Sequence, residues 1–134
     1  MTASGSNLLA VAIVAAGYTT LLASSGLLTK TILSRVAGQP IGQTVNSRTL
    51  DEGFIIGKCE NILLLTFTLL EAYTAISLIF TAKAIVRRED MSRNSLFFLA
   101  GTMINVSYSI VVGLVVKLAL TVLHGGQLFM AGKV

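Results

Sequence analysis

Tryptophan is missing from this chain, and cysteine, proline and histidine occur once each, at Cys59, Pro40 and His124. Without tryptophan there is no strong aromatic belt of the kind that marks many membrane–water interfaces. A single cysteine excludes an intrachain disulfide and a cysteine-based metal site. Charge is scarce as well: Asp, Glu, Lys and Arg make up 12% of the residues, against about 25% in a soluble domain. The sequence holds no Ser-His-Asp grouping, no cluster of His, Cys and carboxylates, no phosphate-binding glycine loop and no basic patch interleaved with aromatics. Cys59 and His124 stand alone. No enzymatic chemistry, metal, cofactor or nucleic-acid partner is therefore expected. The formal charge of +4 fits flanks that meet anionic lipid headgroups.

What is present is apolar. Hydrophobic residues make up 54% of 134 residues, and the mean hydropathy is +0.82. A chain this short forms one domain, residues 1–134, and cannot hide so much apolar surface in a water-facing core. The lipid bilayer is the natural solvent for the excess.

The first apolar run, Leu8 to Leu28, is free of charge. About twenty such residues span a hydrocarbon layer of roughly 30 Å. A cleaved leader would want positive charge before the run, and none precedes it beyond the amino terminus, so a retained helix is expected. The run is rich in small residues (Ala10, Ala12, Ala15, Ala16, Gly17, Ala23, Ser24, Ser25, Gly26) that suit close helix packing. Residues 38–52 are the polar connection, with Gly38-Gln39-Pro40, Asn46 and Ser47 as turn formers. Thr49 followed by Glu52 has the spacing of a capping box. From there a helical pattern runs to Arg88, roughly 57 Å if continuous. A charged turn follows, then a third apolar run from Ser95 to Leu123, stopped by Gly125. The sequence thus predicts an all-α integral membrane fold with three transmembrane helices at about 7–35, 50–88 and 95–123, assembled as an oligomeric helical bundle. Three spans place the termini on opposite sides. Lys83, Arg87, Arg88 and Arg93 then fall on one side and Lys30, Arg35, Arg48, Lys58 and Lys133 on the other, so neither side dominates.

Polar groups inside the spans are the candidate functional residues. Glu71 falls near the middle of the second span, where an ionised carboxylate costs about 2.5–3.5 kcal/mol on insertion scales. Tyr18, Tyr108 and Ser109 have the depth to hydrogen-bond it. Glu60 lies eleven residues earlier, three turns plus about 20° on a straight helix, so the two acids share one stripe. Two readings follow. The stripe lines an ion or proton path, or Glu71 is a neutral structural residue while Glu60 sits at headgroup level beside Lys58 or an arginine. Lys83, Arg87 and Lys117 read as snorkelling interface anchors or as a basic collar at a pore mouth. Asn105 reads as interhelical glue. Thr66, Thr68, Thr74, Ser77 and Thr81 can bond back to their own helix.

Gly53, Ile56, Gly57, Glu60, Tyr73, Ala75, Ile76, Ala82, Lys83 and Arg87 give the spacing G-x-x-I-G-x-x-E, then Y-x-A-I, then A-K-x-x-x-R. This resembles a family of small multi-pass bacterial membrane proteins of uncharacterised function. An arginine often follows the first glutamate there, where this chain has Asn61. The resemblance covers about 35 residues. It implies a bacterial or phage origin and the inner membrane, attaches no activity, and singles out Glu60 and Lys83 as the shared charged pair.

Two functions are expected from different classes. One is a homo-oligomer forming an ion-conducting pore or transport path lined by Glu60 and Glu71. The other is a non-catalytic accessory or assembly subunit of a larger membrane complex, with the same residues as interhelical contacts.

Overall fold

The computed structural model describes residues 3–37, 47–86, 88 and 95–125. Among the described residues four helices are formed: α1, Ala3–Ala37; α2, Ser47–Leu69; α3, Tyr73–Val86; and α4, Ser95–Leu123. No strand occurs among the described residues. Within α1 and α4, Asn7–Arg35 and Leu99–Leu123 are long and apolar enough to cross a membrane, by length and composition.

Side-chain contacts fix the register. A Cβ placed on Gly17 would meet Val116, and one on Gly101 would meet Leu33; Ser24 bonds Tyr108. The numbers rise on one helix as they fall on the other, so α1 and α4 are antiparallel. Gly57 faces Asn105 and Gly113 faces Thr68 and Leu65, which makes α2 parallel to α4. Tyr18 bonds Thr66 and Ser25 bonds Asn61, which makes α2 antiparallel to α1.

The long second rod expected over 50–88 is not there. Its pattern divides at Leu70–Ala72 into α2 and α3. The stop is a Schellman turn: Ala72 N–H donates to the Phe67 carbonyl at 2.8 Å and Glu71 N–H to the Thr68 carbonyl at 3.2 Å. Glu71 takes the left-handed conformation, φ 58°, at a position usually held by glycine. The Ala72 carbonyl then accepts from Ile76 N–H at 3.3 Å, and α3 starts. Lys83 of α3 pairs with Glu60 of α2. On a straight helix those residues would stand roughly 35 Å apart. So α3 folds back along α2 as a helical hairpin. The helix α2 also begins at Ser47, two residues ahead of the Thr49 cap expected from sequence.

With four alternating helices, the start of α1 and the end of α4 lie at the same end of the bundle. This corrects the opposite-side placement that three spans required. Gly125 does end α4, at φ 61°.

The interior mixes apolar and polar side chains. The buried apolar side chains are Leu21, Leu33, Leu64, Leu65 and Val116. Beside them are buried polar ones: Ser25, Glu60, Asn61, Thr68, Thr102, Asn105 and Ser109. Leucine, isoleucine and valine cover the outside, with Leu8, Val11, Leu27, Leu78, Ile85, Leu118 and Val122 each more than 60% exposed. Helix α3 has no buried residue at all. Of the small residues in α1, Gly17 and Ser25 face inwards, while Ala12, Ala15, Ala16 and Ala23 face out.

Candidate functional site

The polar side chains gather in a layer across the bundle. Leu21 and Val111 are the midpoints of Asn7–Arg35 and Leu99–Leu123. Ser109 is two residues from Val111 and Ser25 four from Leu21, about 3 and 6 Å along the axes. Between them stands Asn61. Its Nδ2 donates to Ser25 Oγ at 2.6 Å. Its Oδ1 lies 2.8 Å from Ser109 Oγ, which is also 2.8 Å from the Asn105 carbonyl of its own helix. One amide thus ties α2 to α1 and to α4. Lys58, one turn earlier on α2, donates to the Leu22 carbonyl and to Ser25 Oγ at 3.1 Å. Its ammonium lies 5.0 Å from the centre of the Phe54 ring, within cation–π range.

Two hydroxyl pairs flank the layer. Thr66 Oγ1 donates to its own helix at Ile62, so the Tyr18 hydroxyl donates to Thr66, at 2.5 Å. Ser24 likewise donates to the Thr20 carbonyl, so Tyr108 donates to Ser24, at 2.7 Å. Thr68, Ser77 and Thr81 bond back to the carbonyl four residues earlier. Such back-bonding satisfies the hydroxyl without needing a wet surface. Thr102 Oγ1 is buried without a partner.

Among the described residues, two interhelical ion pairs complete the set. Glu60 and Lys83 pair between α2 and α3 with side chains only 10% and 9% exposed. Glu71 and Lys117 pair between the α2–α3 turn and α4, with side chains 57% and 33% exposed. Lys117 lies six residues beyond Val111, about 9 Å along the axis and on the other side of it from the Asn61 layer.

These positions redraw the residues named from sequence. Glu71 does not sit in the middle of a helix, and its partner is Lys117, in place of Tyr18, Tyr108 or Ser109. Glu60 is buried beside the Asn61 layer, and its partner is Lys83, not Lys58. The two acids share no stripe: the chain turns between them, and one is buried while the other is exposed. Lys83 and Lys117 each hold a carboxylate, so neither is a free collar charge. Arg87 lies outside the described residues. Asn105 and Ser109 are buried in the α2–α4 interface.

The bonds from Asn61 and Lys58 to Ser25 and the Leu22 carbonyl have no counterpart in the sequence-based reading, which set Lys58 beside Glu60. Asn61 carried a signal: it is the one side-chain amide within α2, and such a group in an apolar helix needs a partner. Among the described residues no three of His, Cys, Asp and Glu are grouped to hold a metal. The chain matches no family model, and no curated protein or solved structure matches it.

Proposed function

We propose that the chain is a multi-pass protein of the bacterial inner membrane that works as a non-catalytic assembly subunit, its polar side chains fastening helices together. The observation that carries this is the internal pairing of the polar groups. Glu60 is taken by Lys83, and Asn61 by Ser25 and Ser109, inside a bundle whose outer surface is leucine, isoleucine and valine. In lipid, helix association rests on close packing and interhelical hydrogen bonds, and an apolar exterior carries no penalty. The packing of α1 along α4, from Gly17–Val116 to Leu33–Gly101, supports a retained helix over a cleaved leader. In this arrangement α1, α2 and α4 cross the bilayer. Helix α3, 14 residues long and about 21 Å, returns through most of it.

A homo-oligomeric ion path is the second reading. It is favoured by Glu71 and Lys117, whose paired side chains remain open on the outer surface, where a second copy would cover them.

Mass in detergent and flux in liposomes separate the two. The subunit reading expects purified protein in vesicles to pass no more ions than empty vesicles. It also expects Glu71→Gln to change association or stability only. Flux that Glu71→Gln abolishes, together with a closed ring of identical chains, would overturn it in favour of the path.

A further inference from the structure

We infer that the bundle has one fixed orientation, with the end that carries Lys30, Arg35 and Arg88 resting on the anionic phospholipid headgroups of the cytoplasmic leaflet. The inference builds on the membrane reading above and adds a direction and a lipid partner to it.

Topology makes the case. The end of α1, the start of α2, the end of α3 and the start of α4 all lie at one end of the bundle, because α3 folds back on α2. Three spans would have divided the basic residues evenly. Four alternating helices collect them. Lys30 and Arg35 close α1, and both are exposed. Arg88 follows α3 and is exposed. Arg48 is the second residue of α2, and Arg87 and Arg93 belong to the stretch that joins α3 to α4. The other end has Lys117, taken by Glu71, and Lys133 in the sequence beyond α4. Lys58 and Lys83 are consumed within the bundle. Orientation follows lysine and arginine near the ends of the spans, and acids weigh little in it. Glu52, Asp51, Glu89 and Asp90, which share the basic end in the sequence, therefore do not cancel the bias.

Depth fits headgroup contact. Lys30 is nine residues from the Leu21 midpoint, about 14 Å along the axis. Arg88 is five residues past Lys83, which places it about 12 Å from the same level. The hydrocarbon edge lies about 15 Å from the centre, within the reach of both side chains. Among the described residues, Lys30, Arg35 and Arg88 have no hydrogen bond or ion pair. Unpaired cations at that depth suit phosphate groups of anionic lipid.

The test is cysteine labelling of the full chain in spheroplasts. Cys59→Ser removes the native thiol. Asn7→Cys then marks the start of α1 and Ser34→Cys the basic end. A membrane-impermeant maleimide should label Asn7→Cys in intact spheroplasts and Ser34→Cys only after lysis. The reverse pattern, or equal labelling of both before lysis, overturns the orientation. Carbonate extraction of the same membranes reads the underlying assumption separately. Protein released to the supernatant would sink the membrane reading itself, and this inference with it.

Replacing Arg35, Arg87, Arg88 and Arg93 together by glutamine should bring Ser34→Cys into the labelled fraction before lysis. An unchanged pattern would show that these charges do not set direction. For the lipid, the thermal midpoint should be higher in phosphatidylglycerol vesicles than in phosphatidylcholine vesicles. The gap should close in the four-glutamine variant. Equal midpoints for the unaltered protein would overturn headgroup binding.

Discussion

Glu60–Lys83 and Glu71–Lys117 are the same chemistry in two settings. The first joins α2 to α3 with both side chains about nine-tenths covered; the second leaves the Glu71 side chain more than half open. No residue of α3 is buried as a whole, and among the described residues Lys83 makes the one ion pair from α3 to α2. The buried pair is therefore the clasp of the hairpin. The open pair only steadies the turn against α4, and it competes with a backbone conformation that glutamate adopts at a cost. The difference shows that an acid's role in this chain follows from where the backbone turns. Its position along the apolar run does not decide it.

The largest expected effect comes from breaking the clasp. Removing one partner of a buried pair leaves an uncompensated charge, at a cost of about 3–5 kcal/mol. Glu60→Gln and Lys83→Met should each destabilise the protein by that order in reversible unfolding in mixed micelles. Replacing both partners by apolar residues, Glu60→Leu with Lys83→Met, should return stability close to the starting value, because the desolvation of both charges is removed together. Should the single variants lose no more than Lys117→Met does, the two pairs do not differ in the way described.

Packing comes next. A Cβ on Gly113 would stand 2.7 Å from Thr68 Cγ2 and 2.8 Å from Thr68 Cβ, with Leu65 at 3.3 Å. Gly113→Ala must push α2 and α4 apart at the level of Leu65 and Thr68, about 8–12 Å from the clasp toward the turn, and overpacking of this kind costs about 1–3 kcal/mol. Thr68→Ser removes only Cγ2, so it should rescue Gly113→Ala in part. Gly17→Ala should be milder. Its Cβ meets one Val116 methyl at 2.5 Å while the rest of that side chain lies at 3.6 Å or beyond, and a valine rotation relieves the contact. Equal losses for both alanines in thermal unfolding would mean that Thr68 and Val116 yield alike.

Asn61 sits between these levels and has a smaller expected effect. Asn61→Ala takes a partner from Ser25 and another from Ser109, for about 1 kcal/mol in all. A double-mutant cycle with Ser109→Ala should give a coupling of about 0.6 kcal/mol, the average for such bonds in membrane helices. A coupling near zero would show that the amide spans no interface.

The sequence made the helical class and the ends of α1 and α4 legible, because long apolar runs and the glycine at 125 are local signals. Helix packing through Gly17 and Ser25 was legible as a small-residue stretch, though not which face it used. The hairpin was not legible. A helix usually breaks at glycine or proline, and the stretch Leu69-Leu70-Glu71-Ala72-Tyr73 has neither. The return contact between Lys83 and Glu60 that accompanies the stop is made by tertiary structure and leaves no local mark. A straight axis through 50–88 sets Glu60, Glu71 and Lys83 at three separate levels, whereas the turn brings Lys83 back to Glu60. The same straight axis divides the basic residues between two ends. The spacing of glutamate and lysine in the family-like pattern was the one trace of the pair, and spacing alone does not say that a chain doubles back.

Glu71 offers the smallest effect and the sharpest reading of that turn. A left-handed residue with a side chain costs about 1–2 kcal/mol more than glycine there, and an exposed ion pair contributes about 0.2–1 kcal/mol. Glu71→Gly loses the pair but relaxes the backbone, so it should match or exceed the stability of the unaltered protein by up to about 2 kcal/mol. Glu71→Ala loses the pair and keeps the strained φ, so it should fall below it. The gap between the two variants isolates the backbone term from the charge, because neither can bond Lys117. On a straight helix the order reverses: glycine in a helix interior is worse than alanine by about 1 kcal/mol. Thermal unfolding of the Gly and Ala variants side by side therefore reports the sign directly. Gly above Ala requires the Schellman turn at Leu70–Ala72, and Ala above Gly requires one continuous helix, with Glu60 and Lys83 too far apart to pair.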